Sequence, residues 1–262
     1  MMGGSFEGRV AIVTGGSDGI GLATARMLAR RGATVALCAR RAEKLDAAKE
    51  AIEAEGGRVE THSLDVTDFD ALVALIEDVA ARHGRLDMLV NNAMSTHYAP
   101  LARLKLAHWR KDFAVNADAV FVSTQAAMAI MTKQGGGAIV NVSSSCGIRA
   151  ATNMASYSAS KAALTHFTAC AAMEGARHGV RVNAIVPGQV QTAGTEDFGR
   201  KAPEVAALTA DAIPMGRGGQ PDELAEAICF MLSDAASYIS GVALPVDGGK
   251  SAQLYMPHAY HG

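Results

Sequence analysis

The stretch Val13-Thr14-Gly15-Gly16-Ser17-Asp18-Gly19-Ile20-Gly21, "VTGGSDGIG", decides how the chain is read. An apolar run ends in it and an amphipathic run, Ile20–Arg30, begins in it, so it is a sharp turn between a strand and a helix. Two chemistries use such a turn. Gly15-Gly16-Ser17-Asp18-Gly19 satisfies G-x-S-x-G, the elbow that presents a nucleophilic serine above a sheet. The same glycines can instead let backbone N–H groups and the positive end of a helix face a nucleotide's phosphates.

A serine elbow sits deep inside its sheet with an acid and a histidine later in the chain. Here the candidate follows the first strand, and none of the 8 histidines has a partner suggested by sequence. On the nucleotide reading, Gly15, Gly19 and Gly21 line the phosphate loop and Ser17 hydrogen-bonds a phosphate. Their spacing, G-x-x-x-G-x-G, departs from the generic G-x-G-x-x-G, so the glycines alone do not decide. Asp18 then puts a carboxylate inside that loop, which fits only if it turns outward.

Outward from this loop, short β-branched runs alternate with helical patterns, the signature of βαβ units and a parallel sheet. Seven runs stand out: Val10–Thr14, Thr34–Cys38, Val59–Leu64, Met88–Asn91, Ala138–Val142, Val180–Val186 and Val242–Val246. Their near-continuous apolar character predicts a single α/β, doubly wound Rossmann-type domain, seven strands flanked by helices on both faces. Phe69, Leu72, Val73, Ile76 and Val79 give an amphipathic helix from Asp68 to His83, and Ala42–Glu55 a second. Residues 1–249 read as the nucleotide-binding catalytic domain and 250–262 as a tail, in which Tyr255, Met256 and Tyr260 are either frayed or packed on a neighbouring subunit. Residues 191–217, with a weak helical signal around Pro203–Ala212, read as an irregular lid.

The chain has 262 residues, 49% hydrophobic and 19% charged, with a formal net charge of -2. That balance suits one large domain and supplies no basic field for nucleic acid. Without a basic leader followed by an apolar core, or about 18 consecutive apolar residues, no membrane segment is expected. Cys38, Cys146, Cys170 and Cys229 form no C-x-x-C pair and read as reduced core residues of a cytoplasmic protein. No metal cluster is expected.

The second strand should end in an acid to grip an adenosine ribose 2′-OH, or in arginine for a 2′-phosphate. It ends Cys38-Ala39-Arg40-Arg41, which favours NADP, with NAD as the alternative. Further on, "SSSCGIRAATNMASYSASKAA" sets Tyr157 and Lys161 four apart on one face of the helix Ser156–Ala172. A phenol with a pKa of about 10 is a poor catalyst near neutrality, and a neighbouring ammonium favours the phenolate. Ser144 stands at the end of the strand Ala138–Val142, where parallel sheets present groups to a ligand crevice. Its hydroxyl can hold a substrate oxygen.

On these motifs the sequence resembles the short-chain dehydrogenase/reductase family over essentially its whole length to Gly249. Thr14-Gly15-x-x-x-Gly19-Ile20-Gly21 matches that family's cofactor loop, and Asp65-Val66 the pair that contacts adenine. Asn91-Asn92-Ala93 matches N-N-A-G with Met94 in place of the glycine. Asn116, Ser144, Tyr157 and Lys161 fall on the catalytic tetrad, and Pro187-Gly188 with Thr192, enclosing Val190, matches the segment near the nicotinamide.

The resemblance implies hydride transfer between a nicotinamide and a carbonyl or secondary alcohol carbon. Tyr157 would be the acid/base and Ser144 the oxygen holder. Lys161 would depress the tyrosine pKa and hold the nicotinamide ribose, and Asn116 would support a proton relay through water. Asn92 and Ala93 would join the cofactor contacts. It also implies a homotetramer or homodimer. A non-catalytic nucleotide-binding regulator is the alternative. Met94, Ser145, Met154 and Gln189 are the candidate substrate contacts; His97 reads as a surface loop residue, and Arg149 as solvated.

Overall fold

The computed structural model describes residues 5–253, so Tyr255, Met256 and Tyr260 lie outside the described residues. Seven strands form one sheet in the order β3-β2-β1-β4-β5-β6-β7, every neighbouring pair parallel. They are β1 (Val10–Thr14), β2 (Thr34–Ala39), β3 (Arg58–Ser63), β4 (Met88–Asn91), β5 (Gly137–Val142), β6 (Val180–Pro187) and β7 (Ala243–Val246). The helices are α1 (Gly19–Arg30), α2 (Ala42–Ala54), α3 (Phe69–His83), α4 (Leu106–Phe113), α5 (Ala119–Gln134), α6 (Ala155–Gly175), α7 (Ala193–Lys201), α8 (Pro203–Asp211) and α9 (Pro221–Leu232).

The first strand explains the two-sided sheet. Successive Cβ atoms point to opposite faces. Ala11 and Val13 enter an apolar cluster with Leu28 of α1 and Ile228 of α9, whereas Val10 and Ile12 enter another with Leu72, Ile76 and Val79 of α3. Full burial of each larger aliphatic side chain contributes about 1.5–3 kcal/mol, so both layers of helices are held by the same strands. β3 differs from its expected apolar character. It is the sheet edge, with Arg58 and Ser63 exposed and the rest half-buried, and its charges protect that edge.

Two local readings change. Pro203 opens α8 at its first position, where its missing N–H costs nothing and its fixed φ suits a helix. The segment expected to be irregular is therefore two short helices, α7 and α8. The continuous helical run Leu106–Gln134 is also long and apolar enough to cross a membrane, with a mean hydropathy of 1.3. Its Val115, Ala119, Ala127 and Met131 pack into the second cluster, as befits a core helix.

Candidate active site

The chain leaves β1 toward β2 and β3 on one side and resumes at β4 on the other. That reversal opens a crevice outside the carboxyl ends of β1 and β4, where doubly wound sheets take ligands. The glycine loop fills its floor. Gly15 has φ 64, and a Cβ there would stand 2.9 Å from Ala93 Cα. A Cβ on Gly21 would collide with the Gly15 carbonyl oxygen and the Asn92 amide. Asn92 Nδ2 donates to the carbonyls of Thr14 (3.1 Å) and Gly15 (3.0 Å), while the Asn92 and Ala93 amides donate to Thr14 Oγ1 at 3.0 and 3.2 Å. Asn92 and Ala93 thus brace the loop from behind. From the far side, Thr192 stands 3.1 Å from where a Gly19 Cβ would be, so Gly15, Gly19, Gly21, Asn92, Ala93 and Thr192 converge.

Asp18 is the N-cap of α1, its carboxylate accepting from the Gly19 amide at 2.8 Å and from the Lys44 ammonium. Arg41 lies 3.8 Å from the same carboxylate. The Lys44 hydrogen bond, opposed by burial, holds the Asp18 carboxyl below its ordinary value. Asp18 therefore turns toward α2 and its cations, and Lys44 is a cation at this end that the sequence reading missed. Arg40 stands 4.0 Å from Asp65. Asp65 Oδ1 accepts from the Thr67 amide (3.0 Å) and hydroxyl (2.8 Å). Burial pushes Asp65 up, and those bonds with Lys111 and Arg40 outweigh it, leaving it below its ordinary value. Val66 is buried beside it.

This donor set fits a nicotinamide dinucleotide. In the first turn of α1 the amides of Ile20 and Gly21 have no backbone acceptor among the described residues. They point from a helix N-terminus as phosphate ligands do. Arg40, Arg41 and Lys44 gather at the end of β2 and start of α2, and Gln189 Oε1, two residues beyond β6, is buried without a partner.

The second group stands on β5 and α6. Ser143 Oγ is committed to α6, 2.6 Å from Thr165 Oγ1 and 3.3 Å from the Lys161 carbonyl. Ser144, on the opposite side of the extended chain, accepts from the Cys146 amide at 3.1 Å, and its hydroxyl favours the Tyr157 phenolate. That separates Ser144 from its serine neighbours. Tyr157 and Lys161 are both buried, with Lys161 Nζ 5.9 Å from the tyrosine ring centre.

One expectation needs correction. Lys161 Nζ donates to the Val142 carbonyl at 2.7 Å, and burial pushes the lysine down to about 7. Burial also pushes the Tyr157 phenol up to about 12, with Ser144 opposing. In this state the group that lowers the phenol is Ser144, because the lysine's charge is itself costly in so dry a place.

Asn116 is buried in a wide turn of helix, Ala114–Asp118, that joins α4 to α5. Its Nδ2 donates to the Ser95 carbonyl (2.8 Å) and Ser160 Oγ (2.9 Å), and its Oδ1 accepts from the Ser95 amide at 2.9 Å. Its direct contact on α6 is thus Ser160, one residue before Lys161. Met94 is half exposed and does not take a positive φ; among the described residues Asn153 is the sole non-glycine that does. The backbone at Met94 therefore needs no glycine. Met154 and Cys146 meet at 3.9 Å between sulfurs, and the Ala99 amide donates to the Asn153 carbonyl at 2.9 Å, closing the loops after β4 and β5 together. Gly188 packs on Asp247 beyond Pro187, and the Val190 carbonyl accepts from Thr195 Oγ1 at 2.8 Å.

Three residues depart from their readings. His97 Nδ1 lies 2.7 Å from Asp112 Oδ1, so the histidine is tied to a buried carboxylate. Cys170 is exposed and Cys146 half-buried, so only Cys38 and Cys229 are core cysteines.

The family described as enoyl-(acyl carrier protein) reductase matches residues 15–251. The 3-oxoacyl-(acyl-carrier-protein) reductase of Thermotoga maritima is 41% identical over 244 residues, 93% of this chain and 98% of that one. The chain belongs to the short-chain dehydrogenase/reductase family. The cis-4-hydroxycyclohexanecarboxylate dehydrogenase of Sinomonas cyclohexanicum is 43% identical over 259 residues, 96% of this chain and 100% of that one. A solved structure from Beutenbergia cavernae, provisionally described as an NAD(P)-dependent gluconate 5-dehydrogenase with bound NADP, superposes with a TM-score of 0.90 at 38% identity, covering 95% and 99% of the two chains. As a member, this chain is an NAD(P)-dependent oxidoreductase of the alcohol–carbonyl couple, and nothing favours the non-catalytic alternative.

Proposed function

We propose that this enzyme interconverts a ketone and a secondary alcohol, preferring NADP, with Tyr157 as acid/base. The observation that carries the reading is the buried convergence of Ser144, Tyr157 and Lys161 beside the glycine loop's crevice. Gly15, Ser17, Gly19, Ile20 and Gly21 would receive the pyrophosphate, and Asp65 and Val66 the adenine. Tyr157, Lys161, Asn92, Ala93, Pro187, Gly188, Val190 and Thr192 would flank the nicotinamide riboside. Arg40 and Arg41, with Lys44 beside them on the Asp18 carboxylate, support the 2′-phosphate.

The bound nicotinamide supplies or accepts the hydride. Ser144 holds the reacting oxygen by a hydrogen bond, and Tyr157 gives that oxygen its proton during reduction or removes it during oxidation. Burial pushes the phenol up to about 12, so it holds its proton near neutrality and has one to give during reduction. Asn116 anchors the loop after β4 against α6, and Lys161 supplies a charge that burial makes easy to lose. Met94, Ser145, Met154 and Gln189 would line the substrate side, with α7 and α8 as its lid.

A homodimer or homotetramer is supported by the exposed apolar side chains of Phe121 on α5 and Met173 on α6. A cytoplasmic setting agrees with four free cysteines. The experiment is an NADPH and NADH absorbance screen in both directions over alicyclic ketones, polyols, 3-keto thioesters and enoyl thioesters. Turnover of ketones with NADPH is the expected result. Turnover of the enoyl thioesters alone would contradict a carbonyl reaction.

A further inference from the structure

The mechanism leaves the most deeply buried carboxylate among the described residues unused. Asp112 lies on α4 one turn before Asn116 and is completely enclosed. Its Oδ1 accepts from Ser95 Oγ at 2.8 Å and lies 2.7 Å from His97 Nδ1, and its Oδ2 accepts from Ser156 Oγ at 2.5 Å. The His97 ring is in turn stacked on His108, centres 4.3 Å apart. A carboxylate in such a place is expensive unless every lone pair is used. Burial pushes Asp112 up, yet Ser156, His97 and Ser95 together bring it below its ordinary value, so it is ionised.

The pattern across the helices gives that charge a task. Asp112 and Asn116 are four apart on one side; Ser156 and Ser160 are four apart on α6, each immediately before Tyr157 and Lys161. Asp112 bonds Ser156 and Asn116 bonds Ser160, two rungs of one ladder, and Ser95 bonds both rungs through its hydroxyl and its main chain. Sliding either rung moves the catalytic pair with it.

We propose that Asp112 is a positioning residue for Tyr157: its carboxylate ties the first turn of α6 to the loop after β4 and fixes a negative charge beside the phenol. The inference rests on Tyr157 being the acid/base. The groups that face the phenol are Lys161 from its own helix, Ser144 and Cys146 from the loop after β5, Tyr98 from the loop after β4, and Asp112 from α4. Cys146, Tyr98 and Asp112 oppose the phenolate and Ser144 favours it. His97 meets Asp112 at Oδ1, and His108 stacks on His97.

Asp112→Asn tests the charge. Its Oδ1 still accepts from Ser95 and His97, and its Nδ2 can donate to Ser156, so the ladder keeps its shape. The pH profile of kcat for alcohol oxidation should move to lower pH by roughly half a unit or more, because the phenolate loses an opposing charge. Asp112→Ala and Ser156→Ala test the tie: kcat should fall by about tenfold and severalfold, with NADPH affinity within about twofold of the parent.

A profile in Asp112→Asn that superimposes on the parent, with Ser156→Ala unchanged in kcat, would overturn the proposal. If Asp112→Ala does not fold, those two variants decide. Turnover that persists in Tyr157→Phe would remove the base the inference rests on and overturn both readings. An inactive Tyr157→Phe beside an unmoved Asp112→Asn profile and an unchanged Ser156→Ala kcat would overturn this one alone.

Discussion

Around the glycine loop, contact is made by main chain: Gly15 and Gly21 pack flush on Ala93 and Asn92, and the first amides of α1 face outward. Across the crevice, contact is made by side chains: Ser144, Tyr157, Asn116, Asp112 and His97 come from α4, the wide turn after it, α6 and the loops after β4 and β5, and Asp112 and Asn116 are tied to α6 through the hydroxyls of Ser156 and Ser160. The difference teaches where each half is vulnerable. The backbone half fails when a side chain is added, and the side-chain half fails when one is removed.

The largest expected effect short of removing the acid/base itself comes from adding one methyl group. Gly21→Ala drives a Cβ into the Gly15 carbonyl and the Asn92 amide, which should cost about 1–3 kcal/mol of stability by overpacking. Urea unfolding measures that, and an NADPH titration should show binding weakened by about tenfold or more. A Gly21→Ala protein with parental stability and affinity would break the backbone side of the comparison.

Next comes Lys161, where the two halves meet. Burial pushes its pKa down to about 7, while in an unfolded chain a lysine titrates near about 10.4. Between these values the unfolded chain binds a proton that the folded one does not, so stability rises with pH from about 7 to about 10. Lys161→Met should lose that rise, seen as the difference between the two urea midpoints across the window. Parallel curves would show that the ammonium is not penalised.

Charge at the adenosine end gives smaller effects. Replacing Arg40 and Arg41 by Ala should weaken NADPH about tenfold more than NADH, the loss of exposed charge-assisted bonds; equal losses would refute their assignment to the 2′-phosphate. Smallest is Asp18→Asn, which keeps an acceptor for the Gly19 amide but releases Lys44 and Arg41. NADPH affinity should rise about two- to threefold with NADH unmoved, the scale of an exposed ion pair.

The same division governs what could be read before the fold was known. Val10–Thr14 and Met88–Asn91 are strands to the residue, because buried parallel strands must be apolar at every position. The glycine loop was legible since main-chain contact demands glycine at fixed spacing, and Tyr157 and Lys161 because one helix turn carries both. Ser156, Ser95 and Asp112 left no signal, since they meet only after α4, α6 and the loop after β4 pack together. His97 was misread for that reason, and Lys161's donation to Val142 depends on a burial that spacing does not reveal. The stretch around Pro203 was read as irregular where Pro203 opens a helix.

The most direct test of the central claim is Tyr157→Phe, which removes one oxygen from a buried ring and leaves the glycine loop untouched. Single-turnover transfer from NADPH to the best ketone of the screen, measured beside an NADPH titration, should show hydride transfer reduced by roughly 10²–10⁴-fold with cofactor affinity kept. Transfer at the parental rate would contradict Tyr157 as the proton donor, and with it the reading of this crevice as a carbonyl-reducing site.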